Sequence, residues 1–238
     1  MRVQTNAFVL SNIRYGDTSL IVRCYTESSG LKSYLIKGAL SPKNKKFKAS
    51  FFLPLTYIEI DAVHKNKGTL ESISEIKIAT PFHSIHSKIE KSTIAVFLSE
   101  ILSMCLKEEE ANPDLFHFLE NAFNFFENQN ESVNFHLYLL LKLCRYLGFE
   151  PDLSGEGDFF DLKEGILTHV QSDICMSELA SALLKQLSKT DLESLSKIKI
   201  PTYLRQDFLN LLLLYYEIHF DDFKKPRSLA VLKQIFTR

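Results

Sequence analysis

Residues 19–38, SLIVRCYTESSGLKSYLIKG, decide how the front of the chain is read. Two runs rich in β-branched and aromatic residues, SLIVRCYT (19–26) and LKSYLIKG (31–38), flank the turn residues SSG, which is the pattern of a β-hairpin. Working outward, VQTNAFVL (3–10) alternates apolar and polar positions ahead of it, while LTYIEIDAV (55–63) and TLESISEIKI (69–78) follow, joined through HKNKG. Five strands within residues 1–80 predict a small closed or nearly closed barrel, an architecture that removes exposed sheet edges.

At Pro81 the period changes from two to three-and-a-half. Ile94, Phe97, Leu98, Ile101, Leu102 and Cys105 fall on one helical face, and Leu115, Leu119, Ala122 and Phe126 do the same after a start signal at Asn112-Pro113. FHLYLLLKLCRYLG (135–148) is apolar almost all round, as a central bundle helix requires, and ends on Gly148. Residues 151–170 interrupt the bundle with three glycines and short apolar pairs, predicting a hairpin-like excursion; helical spacing resumes near Met176 and again over 205–219 and 228–236. The fold class expected is α+β and multidomain: an all-β head over 1–80 and a mostly helical body over 81–238.

Charge divides the chain in the same place. Residues 1–80 hold 12 Lys/Arg and 6 Asp/Glu, a balance of +6, whereas the remaining 158 residues hold 16 and 23, a balance of −7. The sum of −1 conceals a basic front fused to an acidic back. No apolar stretch approaches the 18 to 20 residues of a membrane span, and the N-terminus lacks an apolar run of signal-peptide length. Cys24, Cys105, Cys144 and Cys175 include no CxxC pair, which argues against a disulfide framework or a zinc knuckle and fits a reducing cytoplasm.

Catalytic signatures are absent. The chain contains neither GxxxxGK[ST] nor GxSxG, and Gly155-Glu156-Gly157 follows no strand and opens no helix. His83 and His86, Glu108–Glu110, Asp158 with Asp161, and Asp221-Asp222 read as surface, capping or helix-end groups rather than metal or acid–base sets. The expectation is a binding protein without catalytic centre, metal or other cofactor, or small-molecule substrate.

The basic chemistry concentrates in KGALSPKNKKFKAS (37–50), where Lys37, Lys43, Lys45, Lys46 and Lys48 occur with no acidic residue. Like charges this close repel one another, and a polyanion relieves that repulsion. Single-stranded nucleic acid asks for cations along its phosphates and flat side chains for its bases. Arg14 and Tyr15 are adjacent in a predicted turn, Phe47 lies between Lys46 and Lys48, and alternation puts Lys32 and Tyr34 on one face of their strand, expected toward solvent. A barrel interior also needs large side chains, so Tyr34 and Tyr57 stand alternatively as plugs, with Lys32 a solubilising surface residue.

With these residues in view, the chain resembles the RecO family of bacterial recombination mediators over essentially its whole length. The resemblance rests on IRYGDTSLIV (13–22), TESSG (26–30), KGAL (37–40) before a basic loop and FFLPL (51–55), then YLGFEPDL (146–153), FDLKEG (160–165) and YYEIHFDDFKKPRSLAVLKQIF (215–236). It implies an N-terminal OB-fold barrel, a helical C-terminal domain and no catalysis. It also implies binding of single- and double-stranded DNA, annealing of complementary strands, and cooperation with RecR and single-strand-binding protein to load RecA in cytoplasmic, nucleoid-associated repair. The basic head of the family corresponds here to Arg14, Lys37 and the lysines of 43–48. Relatives with a four-cysteine zinc module carry it after the LG-x-x-P motif; here Ser154 and Gly157 stand where a first pair is expected and only Cys175 is a cysteine, so no zinc is expected. A second reading is an OB-fold adaptor that takes an acidic peptide tail, such as that of single-strand-binding protein, with Lys142 and Arg145 as candidate cations in the body.

Overall fold

Where alternation is strongest the strands form as read. The computed structural model, which describes residues 1–42, 44, 46–65, 70–107, 110–130 and 133–236, has β1 (Arg2–Tyr15), β2 (Ser19–Thr26), β3 (Gly30–Ile36), β4 (Tyr57–Val63) and β5 (Ser72–Thr80) in one antiparallel sheet of order β3-β2-β1-β4-β5. β1 outruns its sequence pattern. It pairs with β4 only as far as Phe8 and with β2 on to Tyr15, and the register slips between Val9 and Ser11. Leu10 is thus an extra residue, and the bulge lets the strand leave one neighbour and stay with the other.

The sheet is curled, not closed. Its two ends meet at one bridge, where the Leu35 N–H donates to the Glu71 carbonyl (2.9 Å) and the Glu71 N–H to that of Ser33 (2.8 Å). Inside lie Ala7, Val9, Leu20, Val22, Cys24, Tyr34, Ile36, Ile58, Ile60, Ala62 and Ile73, all buried. Phe47 and Phe51, from the connection after β3, pack on this core with Ile76 and Ile78, so aromatic side chains complete an enclosure that the strand ladder leaves open.

Three helices belong with the sheet by packing: α1 (His83–Ser87), α2 (Ile89–Cys105) and α3 (Pro113–Asn128). The outer face of β1 and β4 is apolar because they cover it. Phe8 stacks on Tyr57 (4.5 Å between centroids) and meets Phe116 and Phe123 of α3, while the Tyr57 hydroxyl donates to Glu120 (2.6 Å). Tyr57 therefore does not plug the barrel; burial and the Glu120 carboxylate push its pKa up. Asn112 caps α3 as expected, its Oδ1 accepting from the Leu115 N–H (3.0 Å). Lys91, 1% exposed, reaches the carbonyls of Phe126 (2.5 Å) and Glu127 (2.8 Å) and the Ser84 hydroxyl (2.7 Å); the Glu127 carboxylate in turn accepts the N–H groups of Ser84 and Ile85. Residues 226–228 complete this first compact unit with 1–127: Ser228 donates through both its N–H and its hydroxyl to Glu100 of α2 (3.0 and 2.8 Å).

The second unit comprises 128–225 and 229–238. Its axis is α4 (Phe135–Tyr146), buried at nearly every position and packed against α5 (Glu178–Lys189) and α6 (Thr202–His219), with the short α7 (Leu229–Ile235) last. Gly148, at φ +86°, follows the turn that ends α4. The excursion is a two-stranded hairpin, β6 (Phe159–Asp161) and β7 (Ile166–Thr168). Side chains of the bundle hold it: Lys185 donates to the Gly157 carbonyl (2.7 Å), Ser181 accepts from the Phe160 N–H (2.9 Å), and His219 bonds the Leu162 carbonyl (2.8 Å). No cluster of three or more His, Cys, Asp or Glu side chains suited to a metal occurs among the described residues. Gly157 instead meets a steric demand, with φ at +145° and the space of a Cβ filled by the Thr168 backbone at 2.4 Å. Gly157→Ala is expected to cost about 3 kcal/mol, as overpacking against an immovable backbone does. Urea unfolding followed by circular dichroism measures this, and a wild-type midpoint refutes the close approach.

Candidate nucleic-acid interface

Two connections of the sheet lie side by side. The β1–β2 hairpin turns at Gly16 (φ +62°), and its Thr18 carbonyl accepts from the Leu40 N–H (2.9 Å) in the β3–β4 connection; farther along that connection, the Phe52 carbonyl accepts from the Asn12 side chain of β1 (2.7 Å). These ties place Arg14 and Tyr15 on the hairpin beside the segment that carries Lys37, Lys46 and Lys48. All five are exposed, and Tyr15 keeps 56% of its surface open. Lys43 and Lys45 lie outside the described residues.

Three acids of the head are occupied elsewhere. Glu59 pairs with Lys77 (2.9 Å) and accepts from Gln4, Asp61 lies 3.5 Å from Arg2, and Glu71 accepts the Lys65 N–H through both carboxylate oxygens. Among the described residues Arg14, Lys37, Lys46 and Lys48 make no ion pair. Arg14 spends two of its N–H donors on the carbonyls of Gly16 (3.3 Å) and Asp17 (3.1 Å), which fixes the guanidinium over its own turn. The Lys46 ammonium lies 5.7 Å from the centre of the Phe47 ring, and that ring is partly buried on the barrel core. Phe47 is thus an anchor for the loop more than a platform for bases.

Lys32 and Tyr34 do not join this surface. Their common face was expected toward solvent, but it points inward: Tyr34 sits opposite Val22, Lys32 opposite Cys24, and their exposures are 0% and 6%. Tyr34 is the barrel plug, its hydroxyl hydrogen-bonded to His64 Nε2 (2.8 Å) and its pKa raised by burial. A lysine in a strand reads as a marker of the wet face, and here that marker misleads. In the second unit Lys142 donates to the Ser188 carbonyl near the end of α5 (2.6 Å) and lies over the Tyr138 ring, its pKa lowered by burial, whereas Arg145 is exposed. Sequence reasoning also missed the residues that shape the loop, Asn12, Thr18 and Asn44; of these only Asn44, an Asn among lysines two positions after a Pro, carries a local turn signal.

The sequence profile described as "Recombination protein O N terminal" matches residues 1–82, and that described as "Recombination protein O C terminal" matches 86–229. The chain belongs to the RecO family. A protein of Flavobacterium psychrophilum named "DNA repair protein RecO" is 46% identical over the full length of both chains, and its namesake in Flavobacterium johnsoniae is 45% identical over the same extent. One from Bacteroides fragilis is 35% identical over 99% of this chain and all of its own. RecO membership agrees with the five-stranded head and the helical body, and the two profiles meet where strands give way to helices. No described helix is long and apolar enough to cross a membrane.

Proposed function

We propose that this chain is a DNA-binding recombination mediator of DNA repair. Its head, 1–80, grips phosphates on two complementary single strands, lowers their mutual repulsion and lets pairing begin; no bond is made or broken. With RecR and single-strand-binding protein it promotes RecA loading, acting in the cytoplasm at the nucleoid. The observation that carries this reading is the cation surface of Arg14, Lys37, Lys46 and Lys48, exposed and without acidic partners among the described residues, in a chain whose relatives are named DNA repair proteins. The test is pairing of complementary oligonucleotides, bare and coated with single-strand-binding protein. Acceleration in both is expected, and acceleration in neither overturns the reading.

A second reading, an adaptor for an acidic peptide tail, draws on the body. There a cavity of about 200 Å³ is walled by Val133, Phe135, Leu195 and Ile198 and bordered by Lys199 and Arg205, which suits an apolar residue next to a carboxylate. Neither Lys142 nor Arg145 lines it. Deleting the acidic tail of single-strand-binding protein is expected to abolish its capture by this chain; undiminished capture counts against the adaptor.

A further inference from the structure

The connection after β3 carries charge that works against its own order. Lys37, Lys46 and Lys48 repel, the segment holds no acid, and among its described residues only the four-residue 3₁₀ turn Ala49–Phe52 supplies regular structure before β4. Something other than a ladder must hold it. The side chain of Asn44 makes three hydrogen bonds: its Oδ1 accepts from the N–H groups of Lys46 (2.9 Å) and Phe47 (3.1 Å), and its Nδ2 donates to the Gly38 carbonyl (3.1 Å). Its own N–H donates to the Ser41 carbonyl (3.0 Å), and the Ser41 N–H to that of Gly38 (3.0 Å). Gly38, at φ +70°, provides the left-handed residue that turns the chain out of β3. Asn44 therefore ties the start of the loop to its basic end, with Phe47 seated on the core beyond it.

From this we infer that Asn44 is a positioning residue for DNA: it shapes the loop so that Lys46 and Lys48 are presented before the ligand arrives. The inference rests on the DNA-binding reading and deepens it. An ordered loop spares, at the moment of binding, the entropy of fixing long side chains and the backbone beneath them. Asn44 carries no charge, so its removal changes that entropy without changing how many counterions the bound phosphates release.

Two quantities then separate. Asn44→Ala is expected to weaken binding of an unstructured single-stranded oligonucleotide about tenfold, the ordering cost of two such side chains. The slope of log affinity against log salt stays at the wild-type value. Lys46→Ala, by contrast, flattens that slope by about 0.7, the value for one phosphate contact on a single strand. A residue important only for folding lowers the unfolding midpoint and leaves the affinity of the folded fraction intact. Wild-type affinity in Asn44→Ala overturns the inference, and so does a slope lowered as much as in Lys46→Ala. Failure of the wild-type chain to bind DNA at low salt is a different result, which overturns the DNA-binding reading itself.

Discussion

Replacing Arg14, Lys37, Lys46 and Lys48 together by alanine is expected to lower affinity for single-stranded DNA by two to three decades at about 0.1 M salt. Each phosphate neutralised on a single strand contributes about 0.7 to the slope of log affinity against log salt, so four contacts contribute about 3. Extrapolated to 1 M salt, where counterion release ceases to drive binding, variant and wild type converge; one decade lower they differ by the change in slope. The control is Arg2→Ala with Lys77→Ala, which removes two cations already paired with Asp61 and Glu59 and is expected to leave the slope close to wild type. Fluorescence anisotropy of a labelled oligonucleotide across a salt series measures both. Equal loss in the control variant shows that total charge, and not this surface, governs binding.

Lys91→Met is expected to destabilise the first unit by about 3 kcal/mol, the range for breaking a buried charge from its partners. Methionine keeps the apolar stem and most of the volume, so the loss isolates the ammonium. That group serves the C-terminal carbonyls of α3 at Phe126 and Glu127, where four helix carbonyls lack intrahelical donors, and it supports the Glu127 carboxylate that caps α1. One buried cation thereby locks three helices, and burial lowers its pKa while Glu127 raises it. The chain contains no tryptophan, so circular dichroism is the natural probe of urea unfolding. A midpoint within experimental error of wild type refutes the assignment.

The two predictions rest on features of different legibility. Lysines 37, 46 and 48 were visible as a charge run, because exposed like charges without nearby acids carry their chemistry in one dimension. Lys91 was not, since its carbonyl partners are 35 and 36 residues away and a lysine within IEKSTIAV looks like any solvated helix position. The strands and helix faces were legible because burial follows period: Ile94, Phe97, Leu98, Ile101 and Leu102 are all buried as their spacing required. The inward turn of Lys32 and Tyr34 was not, for alternation says which residues share a face but not which face is wet. How far the barrel closes was not legible for a related reason. Whether β3 and β5 pair depends on register at the far ends of the sheet, and the bridge at Glu71 with Phe47 and Phe51 beside the core has no local pattern.

The bond from Ser228 to Glu100 bears on how the molecule comes into being. Everything else in the first unit lies within residues 1–127, yet its last piece is encoded beyond the intervening residues 128–225 of the second unit. During synthesis the head, with its barrel and α1–α3, emerges first, but the Glu100 carboxylate waits for Ser228 until residues 128–225 have been made. A ribosome that stalls or terminates before codon 228 releases a head lacking this contact, so the clasp closes only after residues 128–225 of the second unit have been synthesised.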